Sequence, residues 1–355
     1  MDILVVGGGV IGLSIALELL LAGHRVKVIV RDEKEGASWV AGGMLAPFSE
    51  GLKGDFLRFS VESLRLWSEY LEIIKDLSKR NVFFSQGILR IALSEEEEKE
   101  LRENVKEYTK TYCQNVVSYE GGELLKEFPY ITDKVRYGVI YGDEGNVDTE
   151  ELMEALYKAV ENSGGEIIRE DVLRIMREGN RVEKVYTFFE EFTADYYVFA
   201  TGSWLKEHFG FPVYPVKGQI LKVEAPIRDY VIYSSKAYII PREKDVLIGA
   251  TTENAGFDSR KTLGGLARLS SGAVEVIPSL SDAELLEVKV GFRPGTPDEM
   301  PIFYFGDNFS VYGGHYRNGI LLAPVTARVA LNLIDKGEVS DFFKIFSPYR
   351  FKGET

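Results

Sequence analysis

The residues able to do chemistry begin at the amino end of the chain, in Gly7-Gly-Gly9-Val10-Ile11-Gly12. A G-x-G-x-x-G spacing carries meaning only between a strand and a helix. Here Ile3 to Val6 is a short apolar run rich in β-branched residues, which reads as a strand buried on both faces. Ile11, Ile15 and Leu19 then recur at helical spacing up to Gly23, and Val26 to Val30 reads as a second strand. In that setting the first glycine allows a tight turn and the second lets backbone approach a pyrophosphate. The third lets helix and strand pack closely, while the helix N-terminus presents free N–H groups to the anion. The chemistry indicated is dinucleotide binding. A ribose acceptor belongs at the end of the second strand, where the chain reads Arg31-Asp32. Asp32 is the available carboxylate, and Arg31 stands where many such folds carry an acid. Arg31 either favours a 2′-phosphate, and so NADP, or is solvated while Asp32 turns inward. FAD and NAD(P) are not separated by these residues.

A second glycine-rich loop, Gly313-Gly-His315-Tyr-Arg317-Asn318-Gly319, feeds a helix near the carboxyl end. Its N-terminus can serve another polar part of the same large cofactor. Between the two lies Gly36-Ala-Ser38-Trp-Val-Ala-Gly42-Gly43-Met44-Leu-Ala-Pro47, whose small side chains let backbone come close to a large ligand. No Ser/His/Asp or Cys/His constellation is visible. His24, His208 and His315 are scattered and Cys113 is the only cysteine, so neither a metal site nor an intramolecular disulfide is expected.

The elements that must position these loops alternate strand and helix at both ends of the chain. A helix from Phe56 to Leu77 carries Phe59, Leu64, Trp67, Leu71 and Ile74 on one face. Phe83 to Ala92 reads as strand, and Ser94-Glu-Glu-Glu97 opens a charged helix to about Lys110. Val139 to Tyr141 and Gly145 to Asp148 read as a strand and a turn. A helix from Thr149 to Asn162 ends at Gly164-Gly165, as helix C-termini commonly do. Strands at Glu166 and Val172, a hairpin over Arg181 to Phe192, and the buried strand ending in Thr201-Gly202 complete a second α/β half. From Val213 to Phe292 the pattern is period-2 strands and turns, which is antiparallel sheet material. The tail returns to strand Phe309 to Tyr312 and a helix Ala323 to Asp335.

The chain has 355 residues, enough for one large or two ordinary domains, and 45% of them are hydrophobic. A net charge of −13 argues against nucleic acid and anionic membranes as partners. No stretch has the length and purity of a membrane span, and a cytoplasmic protein is expected.

Several motifs fall in the order of one known family: Gly7 to Gly12, Val40-Ala-Gly-Gly-Met44, Val198-Phe-Ala-Thr-Gly202, Pro215-Val-Lys-Gly-Gln219, Tyr238-Ile-Ile-Pro-Arg242 and Gly249-Ala-Thr251. Gly291-Phe-Arg293-Pro-Gly-Thr296 and Gly314-His-Tyr-Arg-Asn-Gly-Ile320-Leu321 follow. The chain resembles the FAD-dependent D-amino-acid oxidase family, above all its glycine oxidase branch associated with thiamine synthesis. The resemblance implies an α/β fold: a Rossmann-type FAD-binding domain over 1–55, 145–212 and 296–355, and a mainly antiparallel substrate domain with helices over 56–144 and 213–295. It implies non-covalent FAD held by Gly7 to Gly12, Arg31 or Asp32, Ser38 to Met44, the backbone of Val172, Thr201-Gly202 and His315 to Leu321. It further implies oxidative deamination of a small amino acid, with Arg293 clamping the carboxylate, Tyr238 assisting and Arg317 closing the site. The reduced flavin would pass its electrons to O2, giving H2O2. The alternative is a dehydrogenase passing electrons to a partner or quinone, and a homo-oligomer is compatible with either.

The residue types agree with those roles, since the arginine fork matches a carboxylate and a tyrosine supplies one oriented hydrogen bond. Each also has a plainer reading: Arg293 as a buried ion-pair residue, Tyr238 as a strand aromatic, His315 as a loop-fixing side chain. Lys236, Thr252 and Glu253 lie near the pocket motifs and put the substrate among glycine, sarcosine, D-amino acids and cyclic secondary amines. Flavin-tethering relatives use a cysteine near the C-terminal loop, and this chain has none there. Acid precipitation should therefore release all the yellow colour into the supernatant; colour retained in the pellet would contradict non-covalent binding.

Overall fold

The computed structural model describes residues 1–32, 34 and 36–351. The apolar β-branched runs near the amino end build a six-stranded sheet. Its order is Ile302–Phe305, Phe309–Gly313, Tyr196–Phe199, Asp2–Val6, Arg25–Val30, Glu166–Arg169. All neighbours pair in parallel except the edge strand Ile302–Phe305. Helices Val10–Leu21, Thr149–Asn162 and Gly319–Lys336 cover one face, and the helix Gly54–Ser78 packs on the latter two. Strand, glycine turn and helix thus stand as their spacing indicated.

The second sheet is mainly antiparallel. Its order is Glu284–Gly295, Tyr214–Glu224, Val246–Gly249, Tyr238–Pro241, Val231–Tyr233, Phe84–Ala92, Tyr137–Val147, Met44–Leu45. Val116–Glu120 pairs with Tyr137–Val147 off this path. The expected strand at Val139 and turn at Gly145 are one strand, because Gly142 and Gly145 lie close against neighbouring residues as it passes the register shift at Gln86 to Ile88. Among the elements not anticipated is the helix Leu263–Val276. Its Gly264, Gly265, Gly272 and paired serines are poor helix formers. Tertiary packing overrides them: Thr262 caps Gly265 N, and Leu269, Ala273 and Val276 are buried against the sheet. A Cβ at Gly272 would sit 2.5 Å from Lys236 O, so the glycine permits the close approach. The helix Gly319–Lys336 begins four residues earlier than expected and carries Pro324 inside it. Beside the proline, side chains of the Gly54–Ser78 helix bond this helix's backbone, and Val325 N donates to Ser63 Oγ at 3.3 Å. Leu321 O accepts from Ser63 Oγ at 2.6 Å and Trp67 Nε1 at 2.9 Å. Among the described residues no helix is long and apolar enough to cross a membrane.

A buried charge cluster ties the two sheets' halves together. Asp148 caps the Thr149–Asn162 helix, accepting from Glu150 N and Glu151 N, and lies 3.1 Å from Arg242 Nη1. Arg242 is 3% exposed and also holds Asp245 at 2.7 Å. Removing the arginine takes the cation from Asp148 and leaves Asp245 with Lys222 alone, at 3.2 Å. Arg242→Ala should therefore lower unfolding free energy by about 3–5 kcal/mol in urea melts, the range for breaking one side of a buried pair; a change near zero would show the cluster is solvated.

Candidate functional site

Where the two sheets meet, a cavity of about 310 Å³ runs from the end of the Arg25–Val30 strand to the strand Glu284–Gly295. One wall is the glycine fingerprint. Gly7 has φ +121°, and a Cβ there would strike Ala200 O. Gly12 likewise packs against Gly7 O and lies beneath the wall, whereas Gly9 would meet only Ser38 Oγ, at 3.5 Å, and opens on the cavity. Val10 and Ile11 begin the helix, with Val10 N donating to Ser38 Oγ at 3.0 Å. Neither Gly9, the N-cap residue of that helix, nor Asn318, the N-cap residue of the helix Gly319–Lys336, makes a side-chain cap of its own. Both N-termini open into this one cavity.

Gly42, Gly43 and Met44 line a second wall, with Gly43 at φ +80°. Thr201, Gly202 and Val172 line a third. The Thr201 hydroxyl is buried without a hydrogen-bond partner, and Gly202, at φ +56°, has no neighbour within 4 Å of a would-be Cβ. Arg31 and Asp32 stand together at one end. The Arg31 guanidinium stacks 4.4 Å over the Trp204 ring, and Asp32 Oδ1 accepts from Lys34 N at 2.9 Å. Open glycines, two helix starts and an unpartnered hydroxyl are the donor set and shape that a pyrophosphate-containing dinucleotide requires.

Arg293, Tyr238 and Arg317 gather at the other end. Pairing of Glu284–Gly295 with Tyr214–Glu224 sets Arg293 opposite Val216 and Gly291 opposite Gly218. The Arg293 guanidinium lies over Gly218, where a Cβ would fall 2.5 Å from Nη1 and 2.8 Å from Nη2. Nη1 donates to Thr251 O at 3.0 Å, and among the described residues no carboxylate forms an ion pair with this side chain. Burial lowers its proton affinity below the ordinary arginine value, an effect that a bound anion would reverse. The ion-pair reading of Arg293 is therefore not what the structure shows. The Thr251 carbonyl is itself fixed by a polar frame. Thr251 Oγ1 donates to Glu253 at 2.6 Å, Gln219 Nε2 donates to Glu253 at 2.7 Å, and the buried Lys217 pairs with Glu253 at 3.6 Å.

Arg317 Nη1 donates to the Tyr238 hydroxyl at 3.1 Å, and Nη2 pairs with Glu50. Burial opposes the Arg317 charge most strongly, but Glu50 together with Tyr238, Tyr233 and Tyr316 outweighs it and raises the pKa. Burial, with Glu50, raises the Tyr238 phenol, which stays a neutral donor. His315 lines the cavity yet serves the loop. Its Nε2 is 3.2 Å from Thr326 Oγ1, and burial pushes it down to about 3, so the ring is neutral. Ile320 lines the cavity, and Leu321 lies behind it with its carbonyl held as described. Lys236 is remote from this end and pairs with Glu275 at 3.5 Å on the surface.

Glu50 escaped the sequence reading. It follows a small-residue loop with no pattern of its own, and only the fold brings it to Arg317. Gly218, Ile240 and Ala250, which line the same end with Ile220, stand inside the family motifs but carry no role of their own there.

Comparison with known proteins agrees with this geometry. The family described as FAD dependent oxidoreductase, DAO, matches residues 2–333. The chain is 34% identical over 370 residues to a bifunctional protein ThiO/ThiG of Synechocystis sp., covering 100% of this chain and 54% of that one. It therefore spans about half the length of such relatives. It is 30% identical to a glycine oxidase of Geobacillus kaustophilus, covering 100% of this chain and 98% of the relative. The crystal structure of glycine oxidase from that organism superposes with a TM-score of 0.92 at 29% identity, over 98% of this chain and 97% of the other. With its fingerprint, its second helix start and its arginine on one cavity, the chain belongs to the DAO family of FAD-dependent oxidoreductases.

Proposed function

We propose that the protein oxidatively deaminates glycine or a similar small amino acid or N-methyl amine. The observation that carries this reading is Arg293. A half-buried guanidinium without an acidic partner among the described residues lies on the same cavity as a dinucleotide cradle. Its fork matches a substrate carboxylate in two parallel hydrogen bonds. The Tyr238 hydroxyl, held by Arg317, supplies a further donor on that side. Bound FAD supplies the acceptor for the two electrons and proton that leave the amine-bearing carbon as a hydride equivalent, and O2 then takes the electrons to give H2O2. The chain's own work is to bind, orient and desolvate. Ile220, Ile240 and Ala250 close an apolar wall around the carbon to be oxidised. The imine released is hydrolysed by water to the oxo acid and ammonia, or methylamine from an N-methyl substrate. Glycine oxidase and bifunctional ThiO/ThiG relatives support the substrate class.

Each charge-assisted hydrogen bond contributes about 1.5–3 kcal/mol, and a bidentate pair has two. Arg293→Ala should thus lose about two to four decades of kcat/KM on an amino acid. Arg293→Lys keeps the charge without the fork and should recover only part. The decarboxylated amine should be a poor substrate of the wild type and nearly indifferent to the change. Equal losses on both compounds would make Arg293 structural and overturn the proposal. Hydrogen peroxide formed in air, stoichiometric with substrate, is the expected outcome for O2 as acceptor; turnover only with an added quinone would contradict it.

At the other end, we propose Asp32 as the acceptor for the adenosine ribose hydroxyls, with Arg31 engaged by Trp204. Asp32→Ala should weaken FAD binding by about ten- to a hundredfold in reconstitution titrations, with substrate KM of the reloaded enzyme unchanged. Loss of FAD in Arg31→Ala beside retention in Asp32→Ala would invert the assignment.

A further inference from the structure

Glu144 lies on the strand Tyr137–Val147, outside the cavity, and is fully buried. Nothing in the proposed chemistry uses it. Its carboxyl nonetheless receives three donors from one short stretch of chain. Oε1 accepts Phe48 N–H at 2.5 Å and Ser49 N–H at 2.9 Å, and the Ser49 hydroxyl bonds Oε2. That stretch is a compact turn. Glu50 N donates to Ala46 O at 2.9 Å, Gly51 N to Phe48 O at 3.0 Å and Leu52 N to Pro47 O at 3.1 Å. Phe48 is packed on Tyr108 and Tyr141, with ring centres 5.2 and 5.7 Å away. The residue after Ser49 is Glu50, whose side chain is 6% exposed and pairs with Arg317. Arg317 in turn donates to the Tyr238 hydroxyl.

We propose that Glu144 is a positioning residue for the substrate end of the cavity, holding the Phe48–Ser49 backbone so that Glu50 orients Arg317 and Tyr238. The inference rests on the reading of Arg293 and Tyr238 as the carboxylate-binding end. Because the grip is made by a carboxyl group, it depends on that group's charge. An ionised carboxylate holds N–H donors more strongly than a neutral one. Burial pushes the Glu144 carboxyl up to about 8, although the Ser49 hydroxyl and the two N–H groups pull it down. The groups facing it are Tyr108 from the helix Glu95–Thr111, Tyr141 from its own strand, Cys113 and Glu50. Burial raises the two phenols and the thiol, so all three stay neutral through this range. Asp143 engages the Cys113 thiol at 3.3 Å and faces away from Glu144's donors. Raising the pH through about 8 therefore tightens the hold on the turn.

The test uses the FAD-loaded full chain and acetate, a small carboxylate whose own charge is constant over the scan. Binding is read from the perturbed flavin absorbance. In the wild type, acetate affinity should rise about three- to tenfold as the pH passes through that midpoint, the size of coupling carried through a short contact chain. Glu144→Gln keeps the shape but cannot ionise. It should abolish the step and leave affinity near the wild type's low-pH value, with FAD content unchanged. Ser49→Ala removes a donor that favours the carboxylate, so its step should move to higher pH. That shift decides the matter should the glutamine variant fail to fold. A wild-type step retained unmoved in both variants, or a pH-independent wild type that still binds acetate, overturns the inference alone. A wild type that shows no acetate binding at any pH overturns the substrate-end reading and the inference together.

Discussion

Two helix N-termini whose N-cap residues make no side-chain bond open on one cavity, and much of the molecule keeps them there. Their free N–H groups carry partial positive charge and need an anion or water as partner. The first is held by Gly7 and Gly12, which let the helix Val10–Leu21 come down on its strand, and by Tyr157, whose hydroxyl donates to Gly8 O at 2.8 Å. The second is held by Ser63 and Trp67, which donate to the Leu321 carbonyl in its first turn. A bound dinucleotide would answer both, its pyrophosphate at the first and another polar part at the second, so the six-stranded sheet, its covering helices and the long helix Gly54–Ser78 work together.

The substrate end obeys a different constraint, the placing of charge where water is scarce. Arg293 reaches the cavity flat against Gly218, a fit that any side chain at 218 would block. Its orientation is set by the Thr251 carbonyl, and Thr251 is set by Glu253, Gln219 and the buried Lys217. Arg317 is neutralised by Glu50, whereas Arg293 has no such partner among the described residues. The contrast separates an arginine that is part of the scaffold from one left for a ligand.

The parts of this plan that rest on local pattern were legible in the sequence. The fingerprint turn, the helix Thr149–Asn162 and the period-2 strands each depend on neighbours a few residues away. The parts that rest on pairing across the chain were not. Glu50 acquires meaning only from Arg317, 267 residues on, and Glu144 only from Ser49, 95 residues back. Gly218 looks like any strand glycine until the register with Glu284–Gly295 is known. The helix Leu263–Val276 was hidden because its glycines and serines report close packing, not propensity. Motif order, by contrast, pointed to the DAO family without any geometry, and the match over residues 2–333 agrees.

The central claim is that one cavity brings a small amino acid, anchored at Arg293, to bound FAD. It is tested most directly by mixing the FAD-loaded protein, without oxygen, with a panel of small amino acids and N-methyl amino acids while following flavin absorbance. The account predicts rapid bleaching by glycine or one of its close analogues and none by the matching amines that lack a carboxylate. An oxidised spectrum unchanged by every carboxylate-bearing amine, or bleaching that ignores the carboxylate, would contradict it.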